Sequence, residues 1–187
     1  MGLYEENLHG FLSSPENFDY AWEIYEAVPV LREKLKTEAL DEFEKMAAPL
    51  AQANGWVCWR IEPEKVGVSK PAWNRMFAVD LYIGKQYYQS VGLWHDKTHA
   101  KLSAIYDELA RRTKEQAKAV KAKDSGSSDL WYVRLGTNFE TGAEMRELLP
   151  SNRPSLVQGY WNRLWSLAEA FAPAVDEMVR DLTTHDK

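Results

Sequence analysis

Five groups of residues in this chain have types and spacings suited to chemistry or recognition. His95 and His99 stand four apart, so on a helix the two imidazoles would share one face and one metal ion, with Asp96 offering a nearby oxygen. No HExxH glutamate accompanies them, and Asp96 serves equally well as a helix N-cap. Lys70, Trp73, Asn74 and Arg75 place cations beside a ring, the composition of a binding hot spot or a base-stacking site. The alternative is that Trp73 folds back as a lid on a sheet edge. Arg111, Lys114, Lys118 and Lys121 recur at intervals of three and four, which puts four cations on one helix face along which a phosphate backbone could lie. The same face also reads as a solvated one whose charges complement the helix dipole, and no aromatic interleaves with it. Asp80 sits within an alternating apolar run, a place for a strand carboxylate. Cys58, the only cysteine, lies in Trp56-Val57-Cys58-Trp59 and reads as a buried, inert thiol.

Other chemistries lack their residues. The ten glycines form neither GxGxxG nor GxxxxGK[ST], so a phosphate-cradling nucleotide loop has no basis. One cysteine allows no internal disulfide and no CxxC pair. His9 and His185 stand near the ends of the sequence, and no Ser-His-Asp arrangement emerges.

Charge is distributed unevenly. Residues 1–55 carry 4 Lys+Arg against 11 Asp+Glu, residues 56–125 carry 13 against 8, and residues 126–187 carry 6 against 9. The net values of −7, +5 and −3 sum to the overall −5. An electrostatic footprint belongs to a surface patch, so the basic, Trp-containing middle stays open as a binding surface despite the acidic whole. No run approaches the 18 or so apolar residues that would span a bilayer, and Glu5 and Glu6 replace a basic and apolar leader. A cytoplasmic location without membrane partners is expected.

These residues need elements to position them. Ser14-Pro15-Glu16 reads as a cap and first turn, with a short helix to Pro29 and a second, acidic-faced helix from Pro29 to Asn54-Gly55. Trp56 to Ile61, Arg75 to Ile83 and Tyr87 to Trp94 read as three strands of an antiparallel meander, with Pro63 to Pro71 as a loop and Gly84-Lys85-Gln86 as a turn. Asp96 or Thr98 starts a long helix to about Lys123, followed by the flexible Ser125-Gly126-Ser127-Ser128. Leu130 to Leu135 gives a fourth strand, Glu144 to Leu149 a short helix, and Ser155 to Leu182 a last helix that Pro173 kinks. The length and composition suit a single domain over 1–187: N-terminal helices 15–54, a sheet and helix core 56–135, and a C-terminal helix 155–182. The expected fold is α/β of the α+β kind, a central mixed sheet of about four strands, a three-stranded meander plus one, flanked by helices on both faces.

The order helix, meander, helix, strand, helix resembles the core of the PD-(D/E)XK nuclease-like superfamily. The carrying segments are Phe77-Ala-Val-Asp80-Leu-Tyr-Ile, Tyr87-Tyr-Gln-Ser-Val-Gly-Leu-Trp94, the long helix, and Asp129-Leu-Trp131-Tyr-Val-Arg134-Leu. The segment from Tyr160-Trp161-Asn-Arg-Leu-Trp165 to Phe171-Ala-Pro173 is similar to the ending of such domains found beside restriction-modification and defence functions. The resemblance implies a strand carboxylate, here Asp80, and an acidic or Gln residue two before a lysine on the third strand, together holding Mg²⁺. Gln89 matches the first of these, but Val91 stands where the lysine should be. Asp80 then becomes either a displaced metal ligand or a strand carboxylate paired with a cation such as Arg75 or Lys101.

These readings point to a non-catalytic binding domain of nuclease-like architecture. It would contact nucleic acid or a nucleic-acid-handling protein through Lys70, Trp73, Arg75, Arg111, Lys114, Lys118 and Lys121, with no cofactor. The alternative is a protein interaction module, an inhibitor or accessory subunit, using the acidic N-terminal helices. A third reading is a Mg²⁺-dependent phosphodiesterase built on Asp80 with Glu23 or Glu26.

Overall fold

In the computed structural model, which describes residues 3–84, 89–96, 100–124, 129–136 and 139–184, a short helix α1 (Leu3–Leu12) leads into α2 (Pro15–Ala53). The backbone of Ser14 is extended and its Oγ accepts from Asn17 N, with Pro15 in the first turn. The two helices expected on either side of Pro29 are therefore one, with Pro29 and Pro49 inside it. Both rings face solvent, so the carbonyls they leave unbonded, at Tyr25 and Lys45, open to water and the helix continues past them. It stops as the sequence indicates. Gly55 adopts φ +76°, its N–H bonds Gln52 O at 3.0 Å, and Trp56 N–H bonds Ala51 O at 2.9 Å, a Schellman ending.

The sheet has six strands among the described residues: β1 (Val57–Glu62), β2 (Lys65–Ser69), β3 (Phe77–Ile83), β4 (Gln89–His95), β5 (Lys123–Asp124) and β6 (Asp129–Arg134). Their order is β1-β2-β3-β4-β6-β5, and every pairing is antiparallel. Two of these strands depart from the expectation. β2 lies inside the segment read as a loop, where Gly67 and the flanking Pro63 and Pro71 mask a five-residue alternation. β5 lies where the long helix was expected to end. Helix α3 (Ala100–Ala119) instead stops at Lys121, whose φ is +57°, and Ala122 N–H bonds Ala117 O at 2.8 Å. The crossover from β4 thus lands on β5, and β6 turns back into the gap between them. A mixed sheet becomes an antiparallel one for that reason. Lys85 and Gln86 of the expected turn, the cap at Thr98 and the linker 125–128 lie outside the described residues.

After β6 come α4 (Gly142–Met145), opened by a capping box between Thr141 and Glu144, a 3₁₀ turn at Arg146–Leu148, and α5 (Arg153–Thr184) with Pro173 inside it and exposed. Helices α2, α3 and α5 bury their apolar stripes in one core with Val66, Val68, Phe77, Val79, Leu81, Ile83, Val91 and Leu93. The strand residues of opposite phase, Trp59, Ile61, Tyr82 and Trp94, lie outside that core, although Ala78, Asp80 and Ser90 of the same phase are buried. Arg153 fastens α5 to α2. Almost fully buried, it donates to Glu42 and Glu38 at 2.7 Å each and to Leu148 O at 2.8 Å.

Candidate functional site

Trp73 takes the lid reading. Its side chain is fully buried, its Nε1 donates to Asp176 Oδ1 at 2.8 Å, and its ring meets Trp56 edge-on with centroids 5.1 Å apart. Trp56 in turn packs on Trp165, and Trp165 stacks on Trp161. Lys70 Nζ reaches the other oxygen of Asp176 at 2.5 Å and stands 5.6 Å from the Trp56 ring. The connection from β2 to β3 is thus braced against α5 by two donors sharing one carboxylate. Asn74 and Arg75 of the group remain exposed, Arg75 lying 5.6 Å over Trp59.

The cationic stripe on α3 is interleaved with acids. Arg111 donates twice to Glu108, at 2.7 and 2.6 Å, and Arg112 donates to Glu108 and pairs with Asp181. Hydrogen bonds from Arg111 and then Arg112 hold the Glu108 carboxyl down at about 2. Lys118 pairs with Glu115 at 2.8 Å, and Lys114 and Lys121 are exposed. The loop is tied to α5 at Asp176, and Arg112, beside the stripe, at Asp181. Five residues of helix separate those anchors by about 7.5 Å of rise and about 140° of rotation.

Asp80 occupies the middle of β3 with a glycine opposite it on each neighbouring strand, Gly67 on β2 and Gly92 on β4. It is 1% exposed, and Lys65 Nζ lies 3.5 Å from Oδ2, itself almost wholly buried and 5.6 Å over the Tyr82 ring. The cation beside it is Lys65 rather than Arg75, and the Lys101 side chain lies outside the described residues. Val91 pairs with Leu81, on the core face, whereas Asp80 has the opposite phase. Glu23 and Glu26 are exposed on α2, Glu26 accepting from Trp22 Nε1 at 2.9 Å. Among the described residues no three His, Cys, Asp or Glu side chains gather as a metal-binding group. Lys65 thus places an ammonium 3.5 Å from the Asp80 carboxylate, where a Mg²⁺ site would need further oxygen ligands.

His95 is buried and pairs across the sheet with Phe77, on the core face, and His99 lies outside the described residues. Burial first, and Glu44 second, push the Cys58 thiol up to about 12, so it is protonated at neutral pH.

What residue spacing did not single out is the first half of α2. Its first buried residue is Leu35, and from there Lys36, Ala39, Leu40, Phe43, Ala47 and Ala51 follow the core stripe. The same stripe runs N-terminally through Tyr25, Trp22 and Phe18, yet these are 69%, 52% and 51% exposed. Of twelve exposed large apolar residues among the described ones, nine fall between Leu8 and Leu31. Phe18 stacks on Trp22, and Trp22 meets Tyr25. With Leu12 of α1 and Ala21 they line a hollow of about 250 Å³. Glu16, Asp19, Glu23, Glu26 and Glu33 recur at helical spacing along the flank of this stripe, with Arg32 the only Lys or Arg between Leu8 and Glu33. The signal was present as apolar periodicity continuing on a helix, but periodicity alone does not say whether a stripe has a partner.

No helix of the described residues is long and apolar enough to cross a membrane. Compared with protein-family models, with curated proteins and with solved structures, the chain matches none.

Proposed function

We propose that this chain is a protein interaction module whose N-terminal helical hairpin docks into an apolar groove rimmed by Lys and Arg on a partner protein. The observation that carries this reading is the concentration of exposed large apolar side chains between Leu8 and Leu31. A patch of that kind, rimmed by polar residues, marks an interaction site. The mode is helix-in-groove, with Phe18, Trp22 and Tyr25 as anchors at i, i+4 and i+7. Charge selects the occupant. Five acids against one Arg between Leu8 and Glu33 repel a second copy of the same surface and complement a basic one. Basic surfaces are characteristic of proteins that handle nucleic acid, which keeps the partner within the class suggested by the order of elements. The reading is preferred over direct nucleic-acid contact because Trp73 is buried and Lys70, Arg111 and Lys118 are held by carboxylates.

The test compares the full chain with its Trp22→Asp/Tyr25→Asp variant. A stoichiometric protein partner should be captured by the wild type after nuclease treatment, and the purified pair should lose affinity with salt. The variant should bind it at least about thirtyfold more weakly, the loss expected for a tryptophan hot spot. A solution mass of two chains that reverts to one in the variant would assign the hairpin to self-association instead. Low-salt binding of an oligonucleotide, unchanged in the variant, would return the function to the basic middle.

A further inference from the structure

A further hollow lies away from the N-terminal helices, from Asp80 and from the α3 stripe. It is an open cleft of about 750 Å³ where the end of β6, the 3₁₀ turn and the first turns of α5 converge. Three guanidinium groups line it: Arg134 from β6, Arg146 from the turn and Arg163 from α5. Glu147 is the only acidic residue in the lining. Leu135, Ala143, Leu156 and Gly159 supply apolar surface, and Ser151, Asn152 and Ser155 supply hydroxyl and amide groups.

The cleft is held open by the fold. Asn152 Nδ2 donates to Arg146 O at 2.8 Å and the buried Arg153 donates to Leu148 O, so the 3₁₀ turn is fixed against the start of α5. Neither Arg146 nor Arg163 has an ion-pair partner among the described residues, in contrast to the arginines of α3. A Cβ built on Gly159 would meet nothing within 4 Å, so the helix wall is bare at that point. Guanidinium is the planar donor fork that matches phosphate, and the start of a 32-residue helix adds field of the same sign.

We infer that this cleft binds a small phosphorylated molecule, whose phosphates lie against Arg134, Arg146 and Arg163 and whose organic part lies on Leu135 and Leu156. The volume is that of a site for a ligand of metabolite or nucleotide size. Glu147 alone does not neutralise Arg146 and Arg163, which lack ion-pair partners among the described residues, so an anionic ligand balances the site.

Titration of the full chain with inorganic pyrophosphate at low ionic strength, followed by calorimetry, tests the charge requirement. Wild type should bind, and Arg146→Gln/Arg163→Gln should bind at least tenfold more weakly with an unchanged circular dichroism spectrum. A second variant, Gly159→Leu, adds a side chain at the open wall, where a Cβ meets nothing within 4 Å, and exchanges a helix glycine for a better helix former. It should weaken binding of adenosine 5′-diphosphate more than that of pyrophosphate, because only the former needs the apolar floor. No binding of pyrophosphate by wild type overturns the assignment, as does equal binding by the double-arginine variant. Binding of a single-stranded oligonucleotide by wild type with no response to either small anion also overturns it.

Discussion

Replacing Lys65 by methionine keeps most of the aliphatic stem while removing the charge opposite Asp80. At 3.5 Å the pair's attraction is about 5 kcal/mol for an effective dielectric of about 20. The opposing term is the cost of holding both ions away from water, since Asp80 is 1% exposed and Lys65 3%. The two nearly cancel in the intact pair, so the pair itself adds little net stability. Removing one partner does not cancel. Lys65→Met leaves a carboxylate between Gly67 and Gly92 without that cation, and should cost about 3–5 kcal/mol. Asp80→Leu should cost a similar amount by stranding the ammonium, whereas Lys65→Met/Asp80→Leu should lie within about 1–2 kcal/mol of wild type. The four proteins form a double-mutant cycle whose coupling is therefore several kcal/mol. Urea melts followed by circular dichroism read it without screening the charges, as a guanidinium salt would. Additive single effects, or a Lys65→Met cost below about 1 kcal/mol, would refute the view that Asp80 is a structural ion-pair partner.

Other expectations follow from the same structure. Asp176→Ala leaves the buried Trp73 Nε1 without its acceptor and should cost about 1–3 kcal/mol, whereas Asp176→Asn, which keeps an oxygen for the indole, should cost less; equal losses in urea melts would contradict the shared-carboxylate brace. Trp22→Asp/Tyr25→Asp should leave stability within about 0.5 kcal/mol of wild type, because the residues are exposed; a larger drop in the melting midpoint would mean that the stripe is packed within the chain. The Cys58 thiol ionises near 9.0 when unfolded and near 12 when folded, so its contribution to stability is full below about 9 and is lost as pH rises from there towards 12. Cys58→Ala should flatten that alkaline decline, and an unchanged pH profile would deny the thiol's part in it.

The elements carrying the most regular patterns were legible in the sequence. Val157, Leu164, Ala168, Phe171, Val175 and Met178 describe a helix stripe that Pro173, facing solvent, does not interrupt. The alternation around Asp80 gave β3, and Asn54-Gly55 marked the end of α2. Lys65–Ser69 was missed because glycine at its centre and prolines beside it carry turn signals stronger than five residues of alternation. Lys123–Asp124, two residues long, has no periodicity to read. For the site, residue type misled where partners decide. Lys70 and Trp73 look like a contact surface until Asp176, more than a hundred residues away, takes both donors. Arg146 and Arg163 went unnoticed because only the fold brings the turn and α5 to one cleft.

Helix α2 has one further consequence, concerning how the hairpin is ordered before it meets a partner. A separate peptide of residues 15–34 would have to nucleate its own helix, an unfavourable step, and would be largely coil in water. In the intact chain those residues extend a helix already anchored by Leu35 to Ala51 in the core, so each added turn requires propagation alone. The hairpin is thus seeded by the domain behind it. Part of the ordering entropy of association is settled at folding, and the intact chain should bind the same groove more tightly than the excised peptide carrying identical side chains.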